Sequence, residues 1–586
     1  MFEGHPKGLY ALALANTGER FGYYTMLAVF ALFLRENFGL EAGTAGAIYS
    51  TFLGLVYFMP LFGGIMADKF GFGKMVTIGI TIMFAGYLLL SLPLGGNMVA
   101  MAAMVGALLL ISVGTGLFKG NLQVMVGNLY DDPKYAAKRD SGFSLFYMAI
   151  NIGALFAPTA AVEIKEWAEE SLNYSPNDAY HFSFAVACAS LIVSILIYYL
   201  FRPSFRHVEG GVRKTNAAAG NTEELSPKET KARIVALCLV FAVVIFFWMA
   251  FHQNGLTLTY FAAEFTARSA SGVDGLLFNV WNLVAIIVGV YAAFSVFQSK
   301  SGKAKLVSFA VLALITAYLV YAARTISGSV EVDAPIFQQF NPFYVVALTP
   351  VSIAIFGSLA KRGKEPSAPR KIAYGMLVAA VGFCVMLVGS RGLNTPKEQT
   401  HALAAKSGLE YAEKMNACTD AEKLKELVEE KDEECDKLST ADKATFTTVF
   451  DGYRNVEVKS DSTTTYEAPA AEKLEAAKQV LAESKDIRFV SPYWLILTYL
   501  ILTFAELLLS PMGISFVSKV APPKLKGLMM GGWFVATAIG NMLVAVGGFL
   551  WAGIPLVYVW SVFVVLCLLS ALFMFVMMKR LESVTK

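Results

Sequence analysis

The stretch Asn16-Thr17-Gly18-Glu19-Arg20-Phe21-Gly22-Tyr23-Tyr24 decides how the chain is read, because it sets an acid beside a base inside an apolar run long enough to cross a membrane. A carboxylate or guanidinium at bilayer depth costs about 2.5–3.5 kcal/mol on insertion scales, so such a pair faces a water-filled cavity or a partner. At helical spacing Asn16, Glu19, Arg20, Tyr23, Tyr24 and Leu27 share one face. That face is polar at one end and aromatic in the middle, like the wall of a site for something small and charged. The competing reading is a structural ion pair between helices.

Around this stretch the composition is that of a membrane protein. The 586 residues are 56% hydrophobic and 16% charged, with a mean hydropathy of +0.55 and repeated apolar runs of about 20 residues. The runs predict fourteen spans, near 8–36, 44–67, 75–95, 99–122, 142–162, 181–201, 233–262, 275–298, 305–323, 337–360, 371–391, 492–516, 527–551 and 555–578. Basic residues gather in alternate connections, among them Lys69, Lys74, Lys138, Arg202, Arg206, Lys300, Lys361, Arg370, Lys519 and Lys526, which the positive-inside rule places in the cytoplasm together with both termini. No cleavable signal peptide is predicted, because the first apolar run continues without a small-residue cleavage site. The expected location is the cell membrane, bacterial inner membrane in type, with lipid around the spans and no nucleic-acid partner.

One segment breaks the pattern. From 391 to 490 the chain is rich in Ala, Glu and Lys, acidic residues outnumber basic ones, and amphipathic helices are predicted, for instance over 421–438 and 470–484. It falls on the extracytoplasmic side, where Cys418 and Cys435 are candidates for a disulfide. The insert is either an accessory module that docks a partner or a tolerated loop elaboration. The resulting domain plan is an N-terminal six-helix bundle over 1–202, a cytoplasmic linker over 203–232, the start of a C-terminal bundle over 233–390 with two extra helices near 275–323, the insert over 391–490, and the last three helices over 491–586.

Related loops follow span 2, Gly64-Ile65-Met66-Ala67-Asp68-Lys69, and span 10, Gly357-Ser358-Leu359-Ala360-Lys361-Arg362. Such internal symmetry suggests two related bundles with a site between them near the midplane. Gly64 is read as permitting close helix approach, and Asp68 as sitting near a helix end facing a positive charge. The stretch from Gly63 to Lys74 resembles the loop signature of the major facilitator superfamily, whose twelve-helix core is reached by setting aside spans 8 and 9.

Further chemistry lies within the spans. Lys119, in Phe118-Lys119-Gly120-Asn121, is an ammonium deep in an apolar helix, with Glu19 its expected partner; the competing reading is a lysine that snorkels to an interface. Asn151 either binds substrate or joins helices through its amide. His252, in Phe247-Trp248-Met249-Ala250-Phe251-His252-Gln253, suits proton relay or a neutral hydrogen bond. Span 10 opens with Asn341-Pro342, where proline is expected to free backbone groups for a cavity. Glu506 has no basic neighbour in its own helix and is either neutral or waiting for a cation, and Trp533 either closes over a ligand or fills the packing. Cations in the first half, Arg20 and Lys119, and an anion in the second, Glu506, fit a zwitterion; at about 3.8 Å per residue, two or three residues bridge such a cavity.

These motifs, taken together, resemble the proton-coupled oligopeptide transporter family: Glu19-Arg20-Phe21-x-Tyr23-Tyr24, Phe118-Lys119-x-Asn121, Phe146-Tyr147-x-x-Ile150-Asn151-x-Gly153, Phe247-Trp248 with Gln253, Asn341-Pro342, Glu506 with Ser510-Pro511, and Met529-Met530-Gly531-x-Trp533. The resemblance implies an all-helical major facilitator fold and symport of di- and tripeptides with protons. It implies that Arg20 and Lys119 bind the peptide carboxylate, that Asn151, Asn341 and Glu506 hold its amine, and that Tyr23, Tyr24, Tyr57 and Trp533 shape the pocket; Asn121 and Trp248 belong to the same motifs and are counted with the substrate site. Departures from the pattern are Asn16, where the family has a second glutamate, and Leu27 with His252, where bacterial members place an arginine and an acid that pair across the halves as a gate. The extra helices also follow the seventh core helix rather than precede it. Coupling is therefore expected to rest on Glu19, Lys119 and His252, with protons as the coupling ion and no other cofactor or metal. The alternatives are an uncoupled peptide facilitator, a transporter of another small anion or peptide-like drug, and a nontransporting peptide receptor. With no nucleophile–base constellation in the sequence, an enzyme is not expected.

Overall fold

The computed structural model describes residues 4–136, 138–210, 226–271, 274–299, 301–326, 329–417, 421–436, 486–522, 525–551 and 553–584, with single positions between 438 and 482. Each expected span is occupied by helix. The first half holds α1 (Lys7–Glu36), α2 (Ala42–Phe70), α3 (Phe72–Leu90), α4 (Met98–Asn128), the single turn α5 (Pro133–Ala136), α6 (Arg139–Leu172) and α7 (Pro176–Leu200). The second half begins with α8 (Pro227–Phe251) and its continuation α9 (Thr257–Phe265), then α10 (Val280–Gln298), α11 (Gly302–Thr325), α12 (Phe340–Lys361) and α13 (Ala368–Gly389). The insert contributes α14 (Pro396–Ala417) and α15 (Ala421–Asp436), and the chain closes with α16 (Tyr493–Val520), α17 (Lys526–Met542), its continuation α18 (Ala545–Trp551) and α19 (Leu556–Ser583). Thirteen helical segments among the described residues are long and apolar enough to cross a membrane. The 30-residue α1 lies outside that set, its hydropathy lowered by Glu19 and Arg20.

Two bundles form. In the first, α1 packs on α6 and α7, and α4 on α2 and α3; in the second, α13 packs on α16 and α19, and α8 on α17. Glycines set the tightest crossing. A Cβ on Gly63 would lie 2.0 Å from the Gly116 carbonyl oxygen, so α2 and α4 meet backbone to backbone. Gly64, expected to do this, faces open space, because one residue along a helix turns the contact face by about 100°. The side chain of Asp68 lies outside the described residues. The bundles meet along α2 with α17 and α18, and along α6 with α12.

Two spans are broken. Between α8 and α9 the chain passes through a tighter turn, His252–Gly255, and between α17 and α18 it passes through Leu543 and Val544. The breaks face each other: buried Gln253 donates to the Val544 carbonyl oxygen at 3.1 Å and to that of Met249 at 3.1 Å, while Thr257 donates to its Oε1 at 2.9 Å. By contrast Pro342 frees no mid-helix group, since α12 begins at Phe340 and a first-turn residue has no intrahelical N–H bond to lose.

The hairpin α10–α11 stands beside the bundles. No residue of α11 is buried, and it leans on α10 through Tyr318 donating to Asn282 at 3.0 Å and Ser308 donating to Ser295 at 2.8 Å. At the insert end, β1 (Ser269–Ser271) pairs antiparallel with β2 (Ser329–Glu331). The N–H of Val332 donates to Arg268 at 2.8 Å, that of Ala267 to Val490 at 3.0 Å and that of Val490 to Phe265 at 2.8 Å, which stitches the end of the insert to the end of α9. Of the expected insert helices, 421–438 corresponds to α15, whereas most of 470–484 lies outside the described residues, as does Cys418 and with it the proposed pairing to Cys435. The helix α14 opens with a reciprocal cap, Glu398 accepting from the Thr395 N–H at 3.0 Å and Thr395 from the Glu398 N–H at 3.3 Å.

Candidate functional site

The charges of the first half are buried and close-set. Glu19 and Arg20 are 1% and 2% exposed, and the Arg20 fork donates from Nε and Nη2 to the two Glu19 oxygens, each at 2.5 Å. Adjacent helix positions ordinarily point apart, so this fork forms because each buried charge turns to its nearest counter-ion. The guanidinium lies 4.6 Å from the centre of the Tyr23 ring. Lys119, expected to pair with Glu19, does not: Arg20 holds that carboxylate, and no ion pair within 4.0 Å reaches Lys119 among the described residues. Its ammonium sits instead 3.9 Å from the centre of the Tyr57 ring, a cation–π contact that neutralises nothing.

Across the interface stands the anion. Glu506 is 8% exposed and accepts from the Asn341 amide at 2.9 Å and, at 3.4 Å, from the hydroxyl of Tyr147 on α6 in the other half. The Asn341 amide also donates to Thr503 at 3.1 Å, which fixes its orientation. Among the described residues no base lies within ion-pair distance of Glu506. Tyr57 lies between the Lys119 ammonium on its ring face and the ring of His252, and Tyr24 packs edge-on against Tyr23, ring centres 5.2 Å apart. Asn151 uses an amide hydrogen on the Tyr147 carbonyl of its own helix, at 3.0 Å.

Three expected residues stand apart from this wall. Asn121 is buried, with its amide donating to Gly63 at 3.1 Å and to Leu117 at 2.7 Å, so it holds α4 to α2 rather than facing a ligand. Trp533 is 3% exposed and lies on Gly513, where a Cβ would come within 1.9 Å of the indole; it fills the space between α16 and α17. Trp248 stacks on His252, ring centres 5.1 Å apart. His252 itself ends α8 at the break and lies 6.2 Å from Tyr57, ring centre to ring centre. Asn541 stands against His252, and the Trp248 indole N–H is buried without a hydrogen-bond partner among the described residues.

Sequence reasoning missed Tyr147 as a partner of Glu506, Asn541 beside the His252 break, and the ion pair Arg35–Glu264, which joins α1 to α9 near the insert. The first was within a quoted motif. The last two carried no signal, since an amide in a span and charges at helix ends are ordinary.

Two bundles, charged side chains set into the helices of both, and two broken helices facing each other define a membrane transporter of the alternating-access type. Residues 73–220, 305–410 and 462–550 match the POT family, and the chain belongs to it. It is 26% identical over 571 residues to the uncharacterized transporter YclF of Bacillus subtilis, covering 92% of this chain and 87% of that one. It is 26% identical over 620 residues to the peptide transporter YePEPT of Yersinia enterocolitica, covering 100% and 97%. The fold matches that of a variant of a peptide transporter POT in complex with alafosfalin, at a TM-score of 0.64 and 22% identity, covering 100% of this chain and 97% of that one. It also matches a POT family transporter in complex with 5-aminolevulinic acid, at 0.63 and 18% identity, covering 100% and 98%.

Proposed function

We propose that this protein takes up di- and tripeptides by proton-coupled symport through alternating access, with both termini and the basic loops in the cytoplasm, the insert outside, and the cell membrane as its location. The observation that carries the reading is Glu506, a buried carboxylate held by neutral donors from both halves, together with Lys119 of the first half, whose ammonium lies on the Tyr57 ring with no ion pair within 4.0 Å among the described residues. A peptide zwitterion supplies each with its missing counter-ion: the carboxylate goes to Lys119 and Arg20, the amine to Glu506 and Asn341. Membership of the POT family and the names of the relatives support the substrate class.

Coupling follows from the fork at Glu19. Protonating Glu19 releases Arg20 for the substrate carboxylate, and the neutralised site then permits the bundles to rock; the proton and the peptide must each favour one state over the other for this to do work. His252, at the break and beside Tyr57, is the second coupling group. The test is uptake of labelled dialanine into proteoliposomes at matched internal pH. Accumulation above the outside concentration only with an inward proton gradient is expected. Equilibration indifferent to the gradient refutes coupling, and absence of uptake refutes the substrate.

A further inference from the structure

At the insert end of the bundle lies a cavity of about 360 Å³ that the reading above does not use. Its size falls within the roughly 300–1,000 Å³ of small-molecule sites. The floor carries the ion pair Arg35–Glu264, which bridges the two halves with side chains only 18% and 8% exposed. The second Glu264 oxygen accepts from the Trp551 indole at 2.9 Å, and the Arg35 guanidinium lies 4.6 Å from the centre of the Tyr260 ring. Arg268 also lines the floor, on the segment stitched by backbone bonds to Val332 and Val490 on its two sides, and no ion pair within 4.0 Å engages it among the described residues. Its backbone is held and its side chain is exposed at the cavity.

The roof is one face of α14, presenting Leu403, Lys406 and Glu410; Glu434 of α15 and Glu36 at the end of α1 also line the cavity, so carboxylates as well as cations face a ligand there. That helix is fixed. Gln399, fully buried, donates to the Glu264 carbonyl oxygen at 3.2 Å and to that of Arg488 at 3.3 Å, and Asn394 donates to Gln399 at 3.0 Å and to the Asp486 carbonyl oxygen at 3.0 Å. Lys406 is engaged by Glu410 at 3.7 Å on an exposed helix face, the weakest kind of pair and the readiest to exchange.

We propose that this cavity is an outer binding site for short zwitterionic peptides, and that a peptide seated there exchanges with the Arg35–Glu264 pair that holds the halves together. A ligand bearing one charge would leave the other member of a buried pair uncompensated, whereas a zwitterion replaces both. Its carboxylate meets Arg268, Lys406 and Arg35, and its amine meets Glu264. Capture on the outside and release of the cross-half contact thus become one event, and the insert is the roof that makes capture possible. This rests on the peptide reading of the central site.

The experiment is equilibrium binding of labelled dialanine to the full chain in lipid nanodiscs. Two dialanines per chain are expected. The double variant Arg268→Gln with Lys406→Gln, both exposed, loses one of them by at least tenfold in affinity and keeps the other, whereas Glu506→Gln loses the other. N-acetyl-dialanine, which lacks the amine, is expected to leave the outer site empty. A single dialanine per chain, indifferent to Arg268→Gln and Lys406→Gln, overturns the outer site and leaves the central reading standing. No dialanine bound to the native chain overturns both, and N-acetyl-dialanine filling the outer site as well as dialanine overturns the ligand class.

Discussion

Lys119, half-buried, and Glu506, buried, are ionisable side chains with no opposite charge within ion-pair distance among the described residues. A hydrogen bond to a charged group contributes about 1.5–3 kcal/mol, which sets the scale for losing either. Lys119→Gln is expected to lower dialanine affinity by roughly 10- to 100-fold on that scale, read as the concentration of unlabelled dialanine that halves labelled uptake. These two residues were legible in the sequence because a charge in an apolar span is costly enough to demand a reason. Tyr147 and Asn541 were not, since a neutral polar side chain in a helix carries no such surplus. Asn121 shares a motif with Lys119, two positions away, and that spacing turns its amide to the backbone of α2.

At the scale of elements, the glycines and the breaks carry the account. Gly63→Ala forces a methyl to within 2.0 Å of a backbone oxygen, which only helix separation relieves; overpacking of this kind costs about 1–3 kcal/mol. A lowered thermal midpoint is expected for Gly63→Ala and none for Gly64→Ala, which meets open space, both followed by tryptophan fluorescence on heating in detergent. The spans were legible because hydropathy integrates over a whole helix. The breaks at His252–Gly255 and at Leu543–Val544 were not, because no proline marks either one and a single buried glutamine, Gln253, holds them together from across the fold. Gln253→Leu removes bonds to two carbonyl oxygens while keeping size, and is expected to abolish uptake with the protein still present in the membrane, measured as transport per molecule inserted.

For the whole molecule, the contact between halves matters most. The sequence shows no charge pair at Leu27 and His252, where the family resemblance placed a gate, and the structure supplies one on the same two spans closer to the insert, Arg35 with Glu264. That displacement was illegible, since pairing across more than two hundred residues leaves no local trace. Removing one partner of a buried pair costs about 3–5 kcal/mol. Arg35→Glu and Glu264→Arg are each expected to reduce uptake at least tenfold, and the double swap to recover a substantial part of it; three equally impaired variants would mean that the two residues act separately.

The central claim, that one zwitterion spans cations of the first half and Glu506 of the second, is tested most directly by competition for dialanine uptake between N-acetyl-dialanine and dialanine amide, in the native chain and in Glu506→Gln. The account expects both capped peptides to compete poorly with the native chain, and Glu506→Gln to abolish the preference for a free amine while keeping the preference for a free carboxylate. A native chain that accepts N-acetyl-dialanine as readily as dialanine would contradict it.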